Sequence, residues 1–151
     1  MKNICLVLAL LILANQPVYA RTLDAEYFTF DVPDGWEVVM EPTWEEQNVS
    51  LVVARTDKKS AATLVAGQTH GTRMDIIASM FAQMFQTGMP VEQQGNVYTV
   101  PYEKENVSGR LWMTESNGIF LIYSLSGDDH AALNMVKSAV KSSRYPGLVL
   151  P

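Results

Sequence analysis

Ser126-Gly127-Asp128-Asp129-His130 sets a serine, two acids and a histidine side by side. These are the parts of an acyl-transfer site: a hydroxyl nucleophile, a base to take its proton, and a carboxylate to orient the base. Neighbours in sequence on a turn seldom point at one another, and the chain has no Gly-x-Ser-x-Gly elbow to hold a strained serine. The same residues suit the start of a helix, with an aspartate accepting from free backbone N–H groups and His130 solvated in the first turn. A hydrolase built on Ser126, His130 and an aspartate is therefore the rival of a non-catalytic reading.

Metal chemistry has little to work with. His70 and His130 are the two histidines, and nothing places them at ligand spacing with carboxylates. Met80 and Met84 stand four apart, with Met74 before them and Met113 far along the chain, and soft thioethers bind Cu(I). Met80 and Met84 also recur with Phe81 and Phe85 on a stripe expected to cover a sheet, which reads as core filler. No Gly-rich phosphate loop is present. Neither a metal nor a cofactor is expected.

The stretch Glu41-Pro42-Thr43-Trp44-Glu45-Glu46 reads as a loop, and Trp44 within it has no partner in any apolar alternation. An exposed aromatic among acids suits anchorage of a partner, the ring giving affinity and the charges specificity. Glu41, Trp44, Glu45 and Glu46 are the candidate binding residues. Trp36, by contrast, continues the inward face of Val38 and Met40 and reads as architecture.

These residues sit in a chain of 151 residues with a formal net charge of -5. Lys2, the apolar run Ile4 to Ala14, and Val18-Tyr19-Ala20 form a secretory leader over residues 1–20. Asn15, Gln16 and Pro17 interrupt the run well short of the ~20 residues a spanning helix needs. Cleavage after Ala20 removes Lys2 and the single cysteine, Cys5. Residues 21–151 then form one exported domain without disulfides, too acidic to favour nucleic acid or anionic membranes. The single-lysine leader points to the periplasm. Asn48-Val49-Ser50 and Asn106-Val107-Ser108 read as ordinary turn residues.

Alternation and turn chemistry order the elements. Phe28, Phe30 and Val32 share one face of a first strand. Pro33-Asp34-Gly35 turns the chain, with proline expected at the second turn position, and Trp36 opens the next strand. "VSLVVARTD" and "ATLVAGQTH" complete a meander. A helix of about four turns follows, with Thr72 as its cap and Gly88 and Pro90 as its stop. Three strands then include a Ser116-Asn117-Gly118 hairpin, and "IFLIYSL", apolar on both faces, reads as central. A second helix, capped by Asp128 or Asp129, carries Leu133, Val136 and Val140 to a stop at Pro146. The expected fold is α+β, an antiparallel sheet of about six to seven strands with helices packed on its faces, in the order ββββ-α-βββ-α.

"FTFDVPDGWEV" resembles the opening of the PsbP-like α/β/α sandwiches, in which an aromatic-rich strand passes through a Pro-x-Gly-Trp turn. The DcrB-like bacterial envelope proteins share that opening. The resemblance implies a non-catalytic accessory protein that binds a protein or envelope component. It departs from the DcrB-like pattern in lacking a lipobox cysteine. A small-ligand carrier, with a pocket between helix and sheet, is the alternative.

Overall fold

β9 (Ile119–Gly127) is the central, fourth strand of a seven-stranded sheet. Its sequence requires that place, because residues on both of its faces are apolar and need cover. In order across the sheet the strands are β3 (Trp36–Glu45), β4 (Asn48–Arg55), β5 (Ser60–Gln68), β9, β8 (Val107–Ser116), β7 (Val97–Lys104) and β6 (Glu92–Gln94), and every neighbouring pair is antiparallel. The computed structural model describes residues 21–84, 91–104, 107–127 and 129–151. The leader 1–20, Phe85, the helix stop at Gly88 and Pro90, Asn106 and Asp128 lie outside them.

The two helices cover opposite faces, and the alternation of β9 divides the core between them. Leu121, Tyr123 and Leu125 pack with Ala132, Met135 and Val136 of α2 (Asp129–Ala139). Ile122 packs on the other side with Met74 and Ala78 of α1 (Met74–Met84). The cover is unequal. α1 lies over β7 and β8, while Ser50, Val52 and Ala54 of β4 remain half-exposed on that face.

The first expected strand does not join this sheet. β2 (Thr29–Val32) lies between β1 (Arg21–Asp24) and β10 (Val140–Lys141) in a separate three-stranded sheet, with Phe30 opposite both Leu23 and Val140. Phe30 is fully buried there, a contribution of ~1.5–3 kcal/mol by transfer alone. The connecting turn closes with Trp36 N–H donating to the Pro33 carbonyl at 3.2 Å. Pro33 therefore holds the first turn position rather than the second, and Gly35, at φ 80°, supplies the left-handed residue. Trp36 is half-buried against the α2-side core.

Three further expectations need correction. Met74 is the first helical residue of α1, so Arg73 rather than Thr72 occupies the capping position. α2 ends at Ala139, and Val140 is extended because β2 offers it a ladder partner. Asn48 is the first residue of β4 rather than a turn residue. The Asn117-Gly118 hairpin has φ of 52° and 78°, the doubly left-handed turn its sequence calls for.

Asp31 ties the small sheet together, accepting from Lys141 of β10 and from Thr22 Oγ1 at 2.6 Å. The Lys141 and Thr22 hydrogen bonds hold its carboxyl below the ordinary 3.8. The folded state thus favours the charged form, so this stabilisation is present above 3.8 and lost as the pH falls through the lowered folded value. Asp31→Asn should lower the urea midpoint at neutral pH, and the gap from the parent should close in acid. A gap unchanged down to the acid transition would remove this carboxylate from the account.

Candidate functional site

The segment from Glu41 to Glu46 is not a loop. All but Glu46 belongs to β3, which pairs with β4 up to Glu45 opposite Asn48. Its strand character is hidden in the sequence by two register shifts, between Val38 and Met40 and between Met40 and Thr43. The second shift accommodates Pro42, which an edge strand tolerates because its outward side needs no ladder donor. Glu46, at φ 55°, turns the hairpin.

Strand pairing sets Trp44 opposite Val49, on the face that looks toward the small sheet. Its indole is 45% exposed and meets the Tyr27 ring edge-on, centroids 5.8 Å apart at 63°. Tyr27 in turn meets Tyr145 at 6.0 Å and 68°, and the Arg144 guanidinium lies 5.3 Å over the Tyr145 ring. Trp44 is thus the solvent end of a chain of three rings whose middle member, Tyr27, is buried. Such pairs add ~0.5–1.5 kcal/mol beyond their buried area and so favour this orientation of the indole.

The acids do not act as a group. Glu45 and Glu46 follow Trp44 at the hairpin tip, whereas Glu41, about 10 Å back along the strand, is ion-paired with Arg21 of β1. Tyr27, Tyr145 and Arg144 carried no signal in the sequence. Tyr27 precedes β2 and Tyr145 follows α2, and only the pairing of β2 with β10 brings them together.

The serine and histidine lie on different elements. Ser126 is half-buried near the end of β9, level with Ala61 and Gly109, and lines a cleft of about 370 Å³ with Lys58, Lys59 and Ser108. His130 is exposed in the first turn of α2, and among the described residues no hydrogen bond joins the two. Nor, among the described residues, does any group of three or more His, Cys, Asp or Glu side chains gather to hold a metal.

The methionines divide. Met74 and Met113 are buried in the α1-side core, but Met80 and Met84 are 57% and 71% exposed and are not core filler. The helical period of α1 was legible, but its phase depends on where β7 and β8 lie beneath it. Met74 and Ala78 face inward, and Ile76, Met80 and Met84 are left on the flank.

A larger cleft, about 540 Å³, opens between the start of α1 and the strand ends. Thr69 after β5, Gln93 of β6, Tyr98 of β7, Glu115 of β8, and Arg73 and Asp75 of the helix start converge on it. The Arg73 guanidinium donates to both Asp75 oxygens at 3.1 and 2.7 Å, and Glu115 Oε1 accepts from the Gly118 amide at 2.7 Å. Among the described residues no helix is long and apolar enough to cross a membrane. No model of a protein family matches this chain and no curated protein matches it, so the chemistry of these surfaces is read from their own geometry.

Proposed function

We propose that this is an exported, non-catalytic binding protein of the periplasm that engages a protein or envelope component through the β3–β4 hairpin. One observation carries the reading: Trp44 is nearly half exposed yet held edge-on by Tyr27, an aromatic anchor ordered before any partner arrives. Binding then loses little side-chain freedom, and Glu45 and Glu46, which follow Trp44 at the hairpin tip, favour a partner that presents basic groups near an apolar pocket. The leader residues Lys2, Ile4 to Ala14 and Val18-Tyr19-Ala20 support export. The helices on opposite faces of an antiparallel sheet, together with the Phe28 to Trp36 opening, support the finer reading of a PsbP-like sandwich.

Trp44→Ala combined with Glu45→Lys should weaken capture of a partner from envelope extract, the more so at low salt. Its stability cost should be only about 1 kcal/mol, since most of what is lost is the Tyr27 edge contact. An unchanged capture, beside a Ser126→Ala/His130→Ala variant that folds normally but loses the biological phenotype, would turn the reading over to the hydrolase. A second reading, that the chain carries a small ligand, is favoured by the 540 Å³ cleft at the start of α1, which lies within the range of ~300–1,000 Å³ of ligand sites.

A further inference from the structure

We propose that the cleft at the start of α1 binds a neutral saccharide, an inference that rests on the ligand-carrier reading. Its charges already have partners. Arg73 is committed to Asp75 through two hydrogen bonds, and Glu115 holds the Gly118 amide of the β8–β9 turn. An anion drawn to the remaining Arg73 N–H groups would lie beside the Asp75 and Glu115 carboxylates. A cation drawn to either carboxylate would lie beside Arg73. For either sign, attraction to one group is offset by repulsion from its neighbour.

What remains unengaged is an alternating set of donors and acceptors. Two of the five guanidinium N–H groups of Arg73 go to Asp75, which leaves about three. Each carboxylate offers about four lone-pair sites, more than its present bonds use. Gln93 and Thr69 each add a donor and an acceptor. A hydroxyl group both donates and accepts, so a ring of vicinal hydroxyls is the chemistry that satisfies such a wall without breaking an ion pair. Tyr98 completes the match, because it is half-buried and lines the cleft, and an aromatic ring there offers apolar surface to the C–H groups of a sugar.

Amide shifts of the ¹⁵N-labelled protein, titrated with N-acetylglucosamine, chitotriose and maltotriose, test this. The expected result is saturable movement of the Thr69, Arg73, Asp75, Gln93 and Tyr98 amides. Affinity should fall about tenfold in Arg73→Ala and in Gln93→Ala, the loss of one good hydrogen bond. Both side chains are exposed, so the melting curves should stay in place. A trisaccharide that binds at least about tenfold tighter than the monosaccharide assigns the site to a glycan polymer, and equal affinities assign it to a free sugar. Inorganic phosphate or free lysine moving these amides in place of the sugars would overturn the neutral class and leave the carrier reading standing. Stillness of the cleft amides with every probe would overturn both.

Discussion

Gly109→Ala should destabilise the protein by about 3 kcal/mol or more, the upper end of overpacking costs. Gly109 lies on β8 between Tyr102 of β7 and Ser126 of β9. The Tyr102 ring lies across it, and its hydroxyl donates to the Leu125 carbonyl at 3.2 Å and sits 3.3 Å from Ser124 Oγ. A Cβ at Gly109 would come within 2.5 Å of that ring and within 2.2 Å of the Leu125 carbonyl oxygen. The ring can swing away, but the carbonyl belongs to the central ladder and cannot. Tyr102→Ala in the same chain should therefore recover only part of the loss. A urea midpoint for Gly109→Ala within error of the parent would show that no ring crosses this glycine.

The pair Tyr123→Phe and Thr114→Val should cost about 3 kcal/mol together and more than the two single changes added. Both hydroxyls, on the α2 face of β9 and β8, donate to one acceptor, the Leu148 carbonyl, each at 2.7 Å. All three residues are fully buried. Burial pushes the Tyr123 phenol far above its usual range, with the Leu150 backbone opposing only in part, so it remains a neutral donor at any ordinary pH. Removing one donor leaves the carbonyl a partner, whereas removing both leaves it buried and bare, which adds a penalty of ~1–3 kcal/mol. The segment Pro146–Leu148, which packs across β8 and β9, should then exchange its amide hydrogens early. Strict additivity in the double-mutant cycle would mean that the two hydroxyls do not share this acceptor.

Neither prediction was available from the sequence, for a common reason. Local pattern specifies what an element is, not what lies opposite it. Residues 95–103 and 108–116 read as strands, but only the register of β7 and β8 puts Tyr102 over Gly109. "IFLIYSL" announced a central strand because burial on both faces leaves a local mark, and Asn117-Gly118 announced its turn because the positive φ angles select those residues. Phe28 to Val32 announced a strand but not its sheet, since one of its partners, Val140, lies more than a hundred residues along the chain.

The candidate site follows the same rule. The isolation of Trp44 from any alternating apolar run marked it correctly as a surface residue, at 45% exposure, but the bulges of β3 made a strand look like a loop. The cleft walls come from residues 69–75 and from β6, β7 and β8, which no single motif links.

The pairing of Phe30 with Val140 sets a clock on biosynthesis. A chain made from its N-terminus presents Tyr27, Phe28 and Phe30 early, but their neighbours Val140 and Tyr145 emerge more than a hundred residues later. At the usual ~5–20 residues per second that interval is on the order of ten seconds, in which β2 has β1 beside it but lacks its partner on the other edge. A holding factor that recognises short aromatic stretches would find its target at residues 27–30. Variants that loosen β10 should lengthen that dependence and lower yield long before they change the surface of the finished protein.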